Sequence, residues 1–479
     1  MKKIKSILIT AVTTLLIPIS PVVIAEEAKA PEIKSKEIIP NPPNVYTEEE
    51  ILRQPRLLEN AIISFIYEQN DNLEAILNLY KKSHSQDPYL ILWAEAKVLM
   101  KKEEYQEAIN KLEKFTNRYD NPTAKFDLAI LYLLNKQYNQ SENIFNELLI
   151  FTQNEQEKKI INNYIKHIEK GKEIKFNMDF SFKRDSNITK VNGININGAL
   201  RNDKVKDTGF SYRPSISKKY FFDSGLFSEF EIDAYGINYQ KEKRFDYLNT
   251  RIGNKFGFED YSNYLYFNPF YAKAFYGGGS SSSHKNASLK PYYDAIGFNL
   301  FKLSSLNENF KYTVFYENRN EYYNKRKELN GDVNFVSSSL IFVPFKDLYM
   351  SLSGSYNITD RKSKADSHHD IGGSFLISSR LLDDYLVELR YQKMKTDYQG
   401  NTYFHRIIGI PIPGYKFLDS RKIKREDITD SITLSLSNEN INLFGIYPKL
   451  TFSYIKNKSN HPFYSYNEKD IFLEFKSNF

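Results

Sequence analysis

No cysteine occurs in the 479 residues. That excludes disulfides, thiolate metal sites and a lipid-modified N-terminal cysteine, so the protein is not expected to be a lipoprotein itself. Tryptophan occurs once, against 36 Tyr and 35 Phe. Beyond the N-terminus no apolar run reaches the roughly 20 residues that a helix needs to cross hydrocarbon, and the mean hydropathy is −0.54. An aromatic-rich yet hydrophilic chain suits a transmembrane β-barrel, which is apolar outside and polar within. The formal charge is +7. Three of those positive charges (Lys2, Lys3 and Lys5) stand in the first residues, and the modest remainder gives no argument for a nucleic-acid partner.

Signatures of catalysis are also missing. No phosphate-binding G-x-x-x-x-G-K-[ST], no G-x-S-x-G and no H-E-x-x-H is present, so no catalytic, cofactor-binding or metal-binding residue is assigned and the protein is not expected to be an enzyme. His368-His369-Asp370 lacks metal-ligand spacing and reads as the polar loop before a strand. Gly277 to Ser283, rich in glycine and serine, lacks the lysine and helix of a phosphate cradle and reads as a flexible loop.

What is present falls into four stretches. Residues 1–25 have the basic start, apolar Ile7–Ile19 core and small residues before Ala25 of a cleavable signal peptide. Residues 26–46, with Pro31, Pro40, Pro42 and Pro43, read as an extended leader. Residues 47–171 carry a helical pattern, opened by Thr47 and Glu50 as a capping box. That pattern repeats: Ala75, Ala108 and Ser141 are evenly spaced, as are Leu79, Leu112 and Phe145, while Ala96 matches Ala129 and Tyr105 matches Tyr138. A small residue followed four later by a large one lets antiparallel helices pack closely. The spacing resembles tetratricopeptide (TPR) repeats, although alanines stand where that family has its turn glycine. Pro88 and Pro122 fall between units, where a helix must stop.

At Lys172 the period changes to two. Ile174, Phe176, Met178, Phe180 and Phe182 alternate with Lys175, Asn177, Asp179, Ser181 and Lys183, and residues 172–479 read as fourteen strands. The strands are Ile174–Asp185, Gly209–Tyr220, Leu226–Tyr239, Phe245–Phe258, Asn263–Tyr276, Pro291–Leu303, Asn309–Glu317 and Asp332–Pro344. Leu348–Asp360, Asp370–Leu381, Asp384–Thr396, Glu426–Ser437, Tyr447–Lys456 and Asn467–Phe479 complete the set. Connections after even strands are short. Several after odd strands are long and polar: Ser186–Thr208, Gly277–Lys290, Asn318–Gly331 and Asp397–Arg425. That alternation is the outer-membrane barrel pattern, with short turns in the periplasm. The fold class is therefore an N-terminal TPR-like helical domain followed by a 14-stranded antiparallel outer-membrane barrel, with the helices in the periplasm. The final strand places Ile471, Leu473, Phe475 and Phe479 on one face, and its terminal aromatic resembles the signal by which the bacterial barrel-assembly machinery takes up its substrates.

Two stretches resemble one family. Tyr447 to Tyr454 and the Ser459, Asn460, Pro462, Tyr464, Tyr466 pattern look like the C-terminal end of the Slam family, the surface lipoprotein assembly modulators of the type XI secretion system. Arg184 to Ile188, with Asp185, Ser186 and Asn187, is similar to that family's first barrel loop. The resemblance implies an outer-membrane translocator. Its clients would be surface lipoproteins or secreted haem- and iron-binding proteins, and its helices would engage the client or a periplasmic chaperone. Two other classes join or resemble these parts: an exopolysaccharide exporter of TPR-plus-barrel type, and a plain porin. If the last strand carries the insertion signal, deleting Phe479 abolishes the heat-dependent gel shift of the folded barrel and lowers its outer-membrane level. An unchanged shift and level would mean that the signal lies elsewhere.

Overall fold

A computed structural model describes residues 48–192, 195–196, 200–201, 204–282, 284–381, 384–409, 416–438, 440–442 and 445–477. The signal peptide, the leader, the Thr47 cap and Phe479 lie outside the described residues. Eight helices come first: α1 (Glu48–Leu52), α2 (Pro55–Glu68), α3 (Leu73–Tyr80), α4 (Pro88–Lys101), α5 (Tyr105–Thr116), α6 (Pro122–Leu134), α7 (Tyr138–Phe151) and α8 (Glu155–Gly171). Pro88 and Pro122 each open a helix, where the missing N–H costs nothing.

The chain divides into two compact units between Leu131 and Tyr132. The first is built on Ala96, Ala108, Leu112 and Ala129, all buried, with Tyr105. Trp93 is its centre: the indole lies between Tyr67 and Phe115, and its Nε1–H donates to Asp127 Oδ2 at 3.3 Å. The expected Ala75–Leu79 pair is a correction. Ala75 is exposed and Leu79 half-buried, while α3 buries Leu73, Leu77 and Tyr80. The cause is local. Where α5 buries Tyr105 and Phe115, the matching positions of α3 hold Asn72 and Lys82. Without those anchors the helix turns a different stripe inward. Burial pushes the Tyr80 phenol up to about 12, with Glu59 beside it adding to the shift.

The second unit joins α7 and α8 to a closed sheet. In it Ser141 and Phe145 are buried, and Phe145 stacks on Tyr164. Tyr138, half-buried, packs its ring against Phe221 at 4.5 Å. Burial raises its phenol above the ordinary tyrosine range. Asn139 donates to the Phe221 carbonyl at 2.8 Å, Asn135 accepts from the Tyr261 N–H, and Lys218 bonds the Lys172 carbonyl. The last helices are thereby tied to two of the barrel's short turns.

The barrel strands are β1 (Ile174–Asp185), β2 (Asp207–Phe221), β3 (Leu226–Tyr239), β4 (Tyr247–Glu259), β5 (Asn263–Tyr276), β6 (Lys290–Ser305), β7 (Phe310–Tyr323), β8 (Gly331–Phe345), β9 (Leu348–Arg361), β10 (His368–Leu381), β11 (Tyr385–Gly409), β12 (Lys416–Asn438), β13 (Ile446–Ser459) and β14 (Tyr466–Ser477). Each pairs antiparallel with its sequence neighbours and β1 meets β14, so the sheet closes. Closure is what allows strands to stand in hydrocarbon, since every backbone group then has a partner. Outward residues such as Phe182, Ile232, Phe267, Leu300, Leu352, Leu434 and Ile471 are exposed, which makes an apolar belt. Among the described residues no helix is long and apolar enough to cross a membrane.

Three expectations are corrected. Asp397–Arg425 is not a loop: β11 and β12 run on as a two-stranded ladder from Asn401 opposite Lys424 to Gly409 opposite Lys416, past a bulge. Their neighbours stop at Tyr398 and Asp427, so this hairpin stands beyond the rest of the sheet. Asn318 to Tyr323 belongs to β7, and His368 to Asp370 begins β10, with His368 and Asp370 buried. In β7 and β10 the inward residues include Arg319, Glu321, His368 and Asp370, and such groups on a strand's inner face read as loop when their partners are far away in sequence.

The inner face also differs from a uniformly polar lining. Bonds between strands that are not neighbours identify that face, because they must cross the concave side: Arg251 on β4 meets Glu317 on β7 at 3.1 Å. On β5 to β7 it carries Tyr264, Tyr266, Phe270, Phe301 and Phe315, with Tyr266 stacked on Phe301 and Arg251 3.4 Å over the Phe270 ring. On β8 to β10 and on β12 and β13 it carries many small hydroxyls, among them Ser337, Ser353, Ser374, Ser431, Ser435 and Thr451, while β11 between them carries Glu388, Arg390, Gln392 and Met394, with Lys449 paired to Glu388. Charges crowd β1 to β4, where Lys219 pairs with Glu259 and Lys255 with Glu231. Gly257 is required here, because a Cβ would lie 2.5 Å from the Phe227 ring that Lys219 covers.

From Arg251 a chain of alternating charge runs through Glu317, Arg319 (2.6 Å), Glu321 (2.7 Å) and Arg361 (2.7 Å), and Arg361 also donates to the Leu329 carbonyl. Glu321 and Arg361 are both 3% exposed. Removing one member of such a buried pair leaves an uncompensated charge and costs roughly 3–5 kcal/mol. Arg361→Met is therefore expected to lower the temperature at which the folded gel band converts to the unfolded one, and Arg361→Met with Glu321→Gln to recover part of the loss. Equal temperatures for wild type and the single variant would show that the chain adds nothing to stability.

Candidate functional site

Closing fourteen strands requires one joint between elements far apart in sequence, and here that joint is short. β1 pairs with β2 without a break from Ile174 opposite Lys218 to Asp185 opposite Asp207. Against β14, among the described residues, it pairs only from Phe180 opposite Phe475 to Lys183 opposite Phe472. On the lipid side Phe180 stacks on Phe475 at 4.8 Å, and Phe182 faces Leu473.

Side chains take over at both ends of this seam. Toward the periplasm, the Asp179 carboxylate accepts the Ser477 N–H at 3.2 Å and the Lys476 ammonium at 2.9 Å, while Met178 N–H donates to Ser477 Oγ. Toward the outside, Lys183 lies 3.4 Å from Asp185 on its own strand and 3.3 and 3.0 Å from Glu468 and Asp470 across the seam. Lys190 bonds Glu468 as well, and Asp470 accepts the Ser186 N–H at 3.1 Å. Asp185, Glu468 and Asp470 bring their carboxylate oxygens within 4.8 Å of one another, a spacing that could hold a metal ion; the cations in contact with them are Lys183 and Lys190.

Both stretches singled out in the sequence fold onto this outer end. In the first loop, Asp185 accepts the Asn187 N–H and the Tyr239 hydroxyl, and Asn187 donates to the Val191 carbonyl. Ile188 packs on Tyr239 and Phe245. In the last loop, the Ser465 hydroxyl accepts the Ser459 N–H and donates to the Ser459 carbonyl, and Pro462 opens a short 3-10 turn. Asn460 is a three-way brace: it exchanges bonds with the Glu426 backbone and donates to the Lys424 carbonyl at 2.8 Å. The Arg425 guanidinium lies 3.5 Å over the Tyr464 ring and pairs with Asp427. Tyr466 begins the β13–β14 ladder opposite Asn457. The two loops meet where Asn192 N–H donates to the Phe463 carbonyl at 3.3 Å.

Of the last-strand residues, Ile471 and Leu473 face outward and Phe475 supports the seam. Lys183, Glu468 and Asp470 were not singled out in advance. Their signal is opposite charge at one height on the inner faces of the first and last strands, which has meaning only once those strands are known to meet.

Family models agree with this organisation. "Surface lipoprotein assembly modifier" matches residues 174–479, and "Surface lipoprotein assembly modifier, N-terminal TPR repeats" matches residues 45–145. Surface lipoprotein assembly modifier 1 of Haemophilus influenzae is 26% identical over 437 residues, covering 90% of this chain and 87% of that one. The protein of the same name from Neisseria meningitidis is 23% identical, covering 90% and 84%. Among solved structures, an anion-selective porin from Comamonas acidovorans aligns with a TM-score of 0.34 and 9% identity, covering 64% of this chain and 99% of that one. With its barrel and its helical repeats both matched, the chain belongs to the surface lipoprotein assembly modifier family.

Proposed function

We propose that this protein carries client lipoproteins from the periplasm to the cell surface, with its helical repeats engaging the client or a periplasmic chaperone and its barrel serving as the conduit. The barrel stands in the outer membrane and the helices in the periplasm. The relatives are named for surface lipoprotein assembly; lipoprotein clients for this chain follow from that kinship.

A lipoprotein sets two transport problems. Its polypeptide needs a polar path, and its acyl chains need an apolar one. Exposing an acyl chain to water costs roughly 0.8 kcal/mol per methylene, on the order of 10 kcal/mol per chain. The inner face offers the polypeptide a polar path, with serine and threonine on β9, β12 and β13 and charged and amide groups on β11. The acyl chains are better served by a side exit into the membrane, and the short β1–β14 ladder is the observation that carries this reading. In this mechanism β1 and β14 part, the acyl chains stay in lipid, and the polypeptide passes beside them. Folding of the client outside would bias the direction, because it withdraws the unfolded chain from the equilibrium. A secreted haem- or iron-binding client without acyl chains would use the lumen alone. No catalytic step is part of this scheme.

The chain has no cysteine, so an introduced pair can form only one bond. Phe182→Cys with Leu473→Cys places the thiols opposite each other in the seam. Oxidation is expected to stop lipoproteins from reaching a membrane-impermeant biotin label on intact cells, and a reductant to restore labelling. Normal labelling with the bond formed would rule out the lateral route.

A further inference from the structure

We infer that the seam is held shut mainly by two side-chain clasps, an outer one centred on Lys183 and a periplasmic one centred on Asp179, and that these clasps set how readily β1 and β14 part. The inference deepens the lateral route and rests on that reading for its role in transport, but not for its structural claim.

Elsewhere in the barrel, each strand pair is held by a longer backbone ladder. At the seam the ladder runs only from Phe180 to Lys183 among the described residues, and charged groups flank it on both sides. The distribution of charge makes the joint self-closing. If the strands part, Lys183 keeps Asp185, and Lys190 stays with the β1 side, to which its loop belongs. Glu468 and Asp470 on β14 then lose both lysines. At the outer clasp the separated edges carry opposite net charge and attract each other. At the periplasmic clasp each parted edge is nearly neutral, and only the bonds across the seam hold it. Lys476 retains Glu474, and Asp179 retains its place opposite Arg213 on β2, but the bonds across the seam are lost. Both loops that resemble the family's characteristic stretches anchor the outer clasp, through Ser186 and Asp470 and through Asn192 and Phe463. Such bonds can break and re-form without altering any other strand pair, which suits a joint that must open and reclose.

Hydrogen exchange of the full-length protein in lipid nanodiscs tests this. The segments read are residues 180–183 and 472–475, with β7 and β8 as internal reference. Lys183→Met, and separately the gentler Asp179→Asn and Lys190→Gln, are expected to speed exchange in the seam segments at least tenfold while leaving β7 and β8 unchanged. Wild-type seam rates in all three variants would overturn the inference. So would an equal acceleration of β7 and β8, which would mean that the charges stabilise the barrel as a whole. Faster seam exchange in these variants, together with normal lipoprotein labelling of the disulfide-locked protein, would keep the clasps and remove the lateral route.

Discussion

A sheet placed in hydrocarbon cannot leave an edge unpaired, because each backbone group without a partner costs several kcal/mol. Everything in the second unit follows from that constraint. It demands that the strand leaving the helical region and the strand ending the chain find each other, although almost the whole barrel lies between them in sequence. Every other pair is set by a turn or a loop. This one must be specified by the residues on the two strands alone. Phe180 on Phe475 supplies apolar contact on the lipid side, and Lys183 with Glu468 and Asp470 supplies charge on the inner side. Among the described residues this joint has the shortest backbone ladder in the barrel.

The inner face is divided by chemistry rather than uniformly wet. Charged groups on β1 to β4, packed rings on β5 to β7 and, on β8 to β13, small hydroxyls interrupted by Glu388, Arg390 and Gln392 of β11 succeed one another around the wall. Rings and the Arg251–Arg361 charge chain stiffen one side by filling space and saturating charge. The side formed by β8 to β13 mixes small hydroxyls with the longer Glu388, Arg390 and Gln392 of β11. At the periplasmic end, the contacts of α7 with the Phe221 turn and of Asn135 with Tyr261 fix the last helices at the β2–β3 and β4–β5 turns. The seam lies between β13 with its hydroxyls and β2 with its charges.

Much of this was legible in the sequence because alternation is a local property. The outward apolar set, the short turns and the switch at Lys172 need no knowledge of distant residues, and they gave every strand of the barrel. What stayed hidden depends on partners. Glu317, Arg319 and Glu321 look like loop residues until Arg251 and Arg361 are placed beside them. Asp397 to Arg425 holds Gly400, Gly409, Pro411, Pro413 and Gly414, which read as loop and hide the continuation of two strands. His368 and Asp370 look solvated until they are seen on an inner face. Ala75 follows the repeat in sequence, but Asn72 and Lys82 remove the anchors that would have turned it inward. The two loops that resemble the family were visible as motifs. That they meet at one seam, around Lys183, Glu468 and Asp470, was not, since only closure brings them together.

The central claim is selective delivery of proteins to the surface, and comparing the surface proteome of the native bacterium with and without this gene tests it most directly. The account predicts that one or a few lipoproteins disappear from the surface and accumulate in the periplasm, while the remaining surface proteins are unchanged. An identical surface proteome in the two strains would contradict it.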